Sequence, residues 1–168
     1  LDKTPLSKVL SIARDAGFNG IELRFGDFKR CLEAGMSNDQ ILDMVRGSGL
    51  KVSVMGTEYG VIFARDAELQ RLLESLGRTC ANAVALGCDT IMVAPGLNPP
   101  TTIEEAAANF RKCGEVAQKH GIRFALEFNS RHALINSLAI GRRILAMADH
   151  PNCGLLLDAY HMHCSGTV

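Results

Sequence analysis

The chain has 168 residues, the size of one domain with a sizeable hydrophobic core. Its 18 Lys and Arg balance 18 Asp and Glu without any basic cluster, which argues against a nucleic-acid partner. No apolar run approaches the roughly 20 residues of a membrane span and no secretory signal opens the chain. The six cysteines form no CxxC pair. We therefore expect a cytoplasmic protein with reduced thiols and no membrane partner.

An amphipathic helix, a glycine and a short apolar strand recur along the chain, as in "ARDAGFNGIEL" (13–23) and "AQKHGIRFALE" (117–127). Each glycine falls where a helix reverses into a strand, because glycine adopts the left-handed backbone at no steric cost. Ser37 is a predicted N-cap, and Thr102 with Glu105 forms a predicted capping box. In chain order the pattern predicts helices at 5–16, 37–47, 65–86, 102–120 and 137–149, and strands at 20–24, 51–55, 89–94, 122–127 and 153–158.

Five βα units fit either an open doubly wound sheet or part of an eight-stranded (β/α) barrel. The continuous apolar runs "IMV" and "LLL" are typical of parallel strands covered on both faces. The chain opens on a helix with no strand before it and stops just past its most polar strand end, which favours the barrel. We predict an α/β protein with a partial (β/α)8 TIM barrel. It would be a single domain over residues 1–168, truncated at both ends.

Two carboxylates end consecutive predicted strands. In both of these folds the active-site residues lie at the carboxyl ends of the strands. Glu127 closes "RFALE" and Asp158 follows "LLL". Adjacent strands lie about 4.8 Å apart, so both side chains can reach one hard divalent cation. Asp158 could equally be the N-cap of a following helix, and Glu127 could pair with an arginine. His161 follows Asp158 by three residues. It could be a metal ligand or a hydrogen-bond donor to substrate at the same strand ends, or it could be a surface residue.

Other strand-end residues carry weaker signals. Glu22 and Glu58 also end strands, but ion pairs with Arg24 or Arg65 explain them at least as well. A GxGxxG after the first strand and a P-loop are both absent from the sequence, so a nucleotide-binding interpretation has no support.

A barrel in which Glu ends one strand and D-x-x-H ends the next resembles the xylose isomerase-like superfamily, in particular the sugar phosphate isomerases and epimerases. The resemblance implies that the chain holds about strands two to six, with Glu127 and Asp158 as metal ligands and His161 in contact with substrate. It places two further ligands, a His or Gln and a Glu, beyond Val168. The similar stretches are "GFNGIELR", "LLESLGRTCANAVALGCDTIMVAPG", "FRKCGEVAQKHGIRFALEFN" and "CGLLLDAYHMHCSG".

The resemblance also implies a divalent metal, Mn²⁺, Mg²⁺, Co²⁺ or Zn²⁺, that polarises the carbonyl of a small sugar or hydroxy-keto acid. Glu127 would both bind metal and move a proton, and the reaction would be isomerisation or epimerisation through an enediolate. Ala133 stands where the ketose 3-epimerases have a second Glu, so Asn129 or His132 is expected to set the substrate instead. "DAYHMH" is also similar to the hydroxypyruvate isomerases.

Two other functions stay open. A barrel can bind a ligand without catalysis, because the fold does not fix the function. The zinc-dependent abasic-site endonucleases share the Glu and the D-x-x-H, but they need a His where Ala94 precedes Pro-Gly. An unclosed sheet would expose two strand edges, so we expect the chain alone to be inactive and to form homo-oligomers or aggregate.

Overall fold

The computed structural model of the chain describes residues 4–96 and 100–166. Within these ranges the strands are β1 (Gly20–Leu23), β2 (Lys51–Gly56), β3 (Thr90–Val93), β4 (Arg123–Glu127) and β5 (Cys153–Leu156). The helices are α1 (Leu6–Asp15), α2 (Phe25–Glu33), α3 (Asn38–Gly47), α4 (Asp66–Ala85), α5 (Ile103–Gln118), α6 (Leu138–Ala148) and α7 (Ala159–Cys164). In the part of the chain described, no helix is both long enough and apolar enough to cross a bilayer.

The strands form one parallel sheet in the order β1-β2-β3-β4-β5. Each strand pairs with the next strand of the chain, and the order never reverses. A doubly wound sheet has a switch point at which the order reverses, whereas a barrel adds its strands in sequence. The predicted partial TIM barrel is therefore confirmed.

All predicted helices and strands are present, with boundaries within two residues of those expected. The signals that placed them are seen in the structure. Ser37 Oγ accepts the N–H of Gln40 at 3.2 Å, and Thr102 Oγ1 accepts the N–H of Glu105 at 3.1 Å. The glycines after four helices adopt left-handed φ values of 81°, 74°, 68° and 68°, at Gly17, Gly49, Gly87 and Gly121 respectively. These boundaries depend on local chemistry, which a sequence displays directly.

Helix α2 was not predicted, and α7 was considered only as the following helix that Asp158 would cap. The N-cap of α2 is Arg24, a residue type with no preference for that position. The start of the helix is instead stabilised by Asp27, whose Oδ2 accepts the Arg24 N–H at 2.8 Å. The predicted last strand was also too long, because β5 ends at Leu156 and Asp158 already caps α7. The prolines of "NPPT" (98–101) predict the end of a loop, and positions 98 and 99 of this stretch lie outside the described residues.

The apolar core has an outer and an inner part. The larger cluster lies between the sheet and the helices, and in β4 it takes Phe124 and Leu126, both with no exposed surface. A smaller cluster on the opposite face joins Val54, Met92 and Ala125 with Leu156 packed against it. Since strand residues alternate between faces, Glu127 shares the inner face with Ala125.

The six cysteines are all free thiols, and the burial of most of them limits their reactivity. Cys31, Cys80, Cys88 and Cys113 are buried, whereas Cys153 is half-buried and Cys164 is exposed. Burial raises the pKa of Cys80 and of Cys153 to about 11. At neutral pH these two side chains are therefore neutral thiols.

Candidate active site at the carboxyl ends of the strands

Glu127 is the last residue of β4 and aligns with Leu156 of β5 across the sheet. It is half-buried and lines a cleft of about 620 Å³ together with Asn129 and His161. The cleft lies at the carboxyl ends of the strands, where (β/α) barrels hold their active sites.

The surroundings of Glu127 disfavour its negative charge. Burial raises its pKa from the ordinary 4.5 to about 7, and the charges of Asp158 and Glu22 act in the same direction, while Arg24 opposes them. Among the described residues Glu127 makes no ion pair, so the alternative of a simple salt bridge loses support. A cation bound between these carboxylates would reverse the effect of the like charges.

Asp158 lies two residues past β5 and is the N-cap of α7, where its Oδ1 accepts the His161 N–H at 2.9 Å. The helix-cap alternative is therefore a real feature of the structure. The capping hydrogen bond leaves the second oxygen and further acceptor positions of the carboxylate available for other partners. The negative charge of Asp158 also acts on Glu127.

Glu127 and Asp158 are hard oxygen donors of the kind that divalent cations such as Mg²⁺ and Mn²⁺ prefer. In residues 4–96 and 100–166, no group of three or more His, Cys, Asp or Glu could hold a metal ion. The pair thus fits part of a coordination shell, and its role as a metal site stays a prediction.

His161 lies in the first turn of the short helix α7. It is half-buried and lines the cleft. Its Nδ1 lies 3.1 Å from Ser130 Oγ, and the Tyr160 ring packs edge-on at 5.3 Å between centroids. The histidine is therefore not a free surface residue, and its contact with substrate stays a prediction.

Asn129 and His132, the two candidates for setting the substrate, are separated by the structure. Asn129 lines the cleft, and its Oδ1 accepts the Arg131 N–H at 3.0 Å. His132 is only 6% exposed, stacks on Phe63 and accepts two backbone N–H groups on Nδ1, at 3.1 and 2.9 Å. It shapes the loop after β4, and it is not among the residues that line the cleft.

The remaining strand-end acids, Glu22 and Glu58, each form an ion pair with an arginine. The predicted ion pair of Glu22 with Arg24 is confirmed, with 3.7 Å between Nε and Oε1. Glu58 pairs at 2.9 Å with Arg71, not with Arg65 as predicted, because Arg65 instead reaches an acid of α5. Both acids line the cleft.

Two contributors to the site were missed. Glu22, the second-last residue of β1, was recognised as a strand-end acid but was interpreted only as an ion-pair partner of Arg24. Ser130 contacts His161 from 31 positions away in the chain, and its neighbours carry no pattern that indicates the contact.

The xylose isomerase-like TIM barrel model matches residues 10–167, nearly the whole chain. The chain belongs to this family. The family match agrees with the strand order of the sheet and with the cleft at its carboxyl edge.

Relatives of this xylose isomerase-like chain include enzymes with different reactions. The 3-dehydroshikimate dehydratase of Pseudomonas putida is 25% identical over 158 residues, which is 93% of this chain and 24% of that protein. An L-ribulose 3-epimerase structure is 26% identical to this chain and superposes with a TM-score of 0.73. The match covers 94% of this chain and 56% of the epimerase chain. The IolI protein, whose structure holds a zinc atom, is 19% identical with a TM-score of 0.79. That match covers 98% of this chain and 62% of the IolI chain. The chain thus spans about a quarter of the dehydratase and about three fifths of the two structures.

Proposed function

We propose that this chain carries the catalytic carboxylate and part of the metal site of a divalent-metal-dependent isomerase or epimerase. The substrate would be a small sugar or hydroxy-keto acid. The observation that carries the proposal is that Glu127 and His161 line one cleft, while Asp158 caps the helix that bears His161 and its charge acts on Glu127. Residues 1–168 would form one partial-barrel domain, and the resemblance assigns two further metal ligands to positions beyond Val168.

Each of the three side chains has a role that its surroundings support. Glu127 and Asp158 would hold the cation through carboxylate oxygens. When bound, the cation supplies Lewis-acid polarisation of the substrate carbonyl. Glu127 would take the proton from the carbon beside that carbonyl and return it, as a general base that faces the substrate from the cleft wall. His161 would donate a hydrogen bond to the oxygen on which negative charge develops.

The lining of the cleft suits a small polar substrate. Its volume of about 620 Å³ is in the usual range for small-molecule sites. Arg24 and Lys29 line it together with Asp27 and Glu22, so both donors and acceptors face the cavity. Hydroxyl groups and an acidic group of a substrate could both find partners there.

Dehydration of a hydroxy-keto compound is the second candidate. The similarity to the dehydratase extends over 93% of the chain, and Ala133 replaces the second Glu of the ketose 3-epimerases. The first step would be the same: Glu127 takes the proton beside the carbonyl. The hydroxyl on the next carbon then leaves with a proton as water, and a carbon–carbon double bond forms.

The first experiment is a Mn²⁺ titration of the full-length protein, as the parent, and of its Asp158→Asn and Asp158→Ala variants. Asn remains a good N-cap, so only the alanine variant should lose about 1 kcal/mol of stability. Both should bind Mn²⁺ at least about tenfold more weakly, since even outer partners of metal ligands cost this much. Asp39→Asn, in the first turn of α3, is the matched control. Parent-like Mn²⁺ binding by both Asp158 variants would leave Asp158 as a helix cap only.

The second experiment separates the reactions. The full-length protein, which would include the ligands that the resemblance places beyond Val168, is incubated with ketoses and hydroxy-keto acids in D₂O, and the products are read by mass spectrometry. Isomerisation or epimerisation adds deuterium without loss of water, whereas dehydration lowers the mass by one water. Ligand binding without deuterium uptake would favour a non-catalytic barrel.

A further inference from the structure

The imidazole of His161 is held by the residue that follows Asn129 in the loop after β4. We propose that Ser130 is a positioning residue, which holds His161 in the tautomer with its proton on Nε2. The histidine can then donate from that nitrogen into the cleft. The catalytic part of this proposal rests on the proposed function, whereas the tautomer itself does not.

Two donors of Ser130 converge on one ring nitrogen. The backbone N–H of Ser130 points at His161 Nδ1 with 3.4 Å between the nitrogens, and Ser130 Oγ lies 3.1 Å from the same atom. A backbone N–H can only donate, so Nδ1 must accept and carries no proton. The hydroxyl then also acts as a donor. In a neutral imidazole the single proton is therefore on Nε2.

The rest of the ring's surroundings leave Nε2 for a ligand. The His161 backbone is tied to Asp158, and the Tyr160 ring meets the imidazole at 66°. Tyr160 is itself fixed by Arg131, whose guanidinium donates to the phenol oxygen at 2.7 Å. Among the described residues Nε2 of His161 has no hydrogen-bond partner, although the side chain lines the same cleft as Glu127. A substrate oxygen in the cleft can therefore meet an N–H donor.

The other histidines provide references for the test. Nδ1 of His132 and of His150 also accepts backbone N–H groups, at distances between 2.9 and 3.2 Å. Both should show the same tautomer as His161. His161 differs from them because a hydroxyl is its second donor and because it lines the cleft.

The test is long-range ¹H–¹⁵N correlation NMR of the full chain with ¹⁵N-labelled histidine, at about pH 8. This spectrum distinguishes a protonated ring nitrogen from a bare one, and His161→Gln assigns the signals. We expect His161 to show the Nε2–H pattern of His132. Ser130→Ala keeps the backbone donor but loses the hydroxyl, and should shift the tautomer ratio about fivefold, the effect of one neutral hydrogen bond. Ser130→Thr should restore the parent pattern, and Ser48→Ala, which removes a half-buried hydroxyl elsewhere, should leave it unchanged.

Kinetics then test the positioning role. With a substrate that the parent turns over, Ser130→Ala should lower kcat about fivefold and change KM by less than about twofold, because the affected bond strengthens as charge develops. A proton on Nδ1 in the parent would overturn the proposal, as would a shifted tautomer with unchanged kcat. No turnover by the full-length protein that carries the two further ligands, together with the Nε2–H tautomer and its shift in Ser130→Ala, would refute the proposed reaction while supporting the placement of the proton by Ser130.

Discussion

Glu127→Gln is expected to stabilise the metal-free chain above neutral pH. The pKa of Glu127 is raised to about 7 by burial first, then by the charges of Asp158 and Glu22. The folded chain therefore has to hold an unfavourable charge at high pH. Gln has the same shape and no charge, so the substitution removes that cost.

The size of the effect follows from the pKa. Between its ordinary value of 4.5 and about 7, the folded chain binds more protons at Glu127 than the unfolded chain does, so the free energy of unfolding falls as pH rises. At about 1.4 kcal/mol per pH unit, this rise in pKa corresponds to about 3 kcal/mol. Solvent screening of a half-buried group reduces the expected effect to about 2 kcal/mol.

The assay is urea unfolding at several pH values between about 4 and about 8 with a chelator present. Glu127→Gln should match the parent at the acid end and exceed it by about 2 kcal/mol at the alkaline end. Other titrating groups cancel in this difference. Glu33→Gln, an exposed acid of α2, is the control and should track the parent within about 0.5 kcal/mol. If the difference between Glu127→Gln and the parent is the same at every pH, the reasoning about Glu127 is wrong.

Two further predictions test the packing. A Cβ on Gly114 would stand 2.6 Å from Cys153 Sγ and 2.7 Å from His150 Nδ1, so Gly114→Ala should lower the free energy of unfolding by about 1–3 kcal/mol. Gly77→Ala, whose added Cβ would have its nearest contact at 4.0 Å, should raise the free energy of unfolding by about 0.5–1 kcal/mol. If urea unfolding shows the same change in stability for both variants, the close packing of α5 on β5 is contradicted. In a thiol-reagent assay of the native chain, Cys164 should react fastest because it is the exposed cysteine. Fast labelling of a buried cysteine would disagree with this fold.

The sequence predicted most of the elements because their signals are local. Glycines after helices, capping residues such as Ser37 and apolar strand runs act over a few positions, and the structure follows them. Helix α2 was missed for the same reason, since Arg24 at its start is not a capping residue by type. The rule that parallel strands end at one edge was enough to select Glu127 and Asp158.

The pairing of side chains needed the tertiary structure. Glu58 pairs with Arg71 instead of Arg65, and the buried His132 stacks on Phe63. Such choices depend on helix packing angles and loop paths, which no short stretch of sequence encodes.

The sequence by itself determined the family, the βα repeat and the residue types at the strand ends. Only the tertiary structure decided that the strands follow one another without a switch point, that Glu127 has a pKa near neutrality, and that Ser130 faces Nδ1 of His161. The physical reason is that strand order, burial and hydrogen-bond geometry depend on distances in space between residues far apart in the chain. Composition and spacing along the chain determine which chemical groups are available, and the fold determines which of them meet.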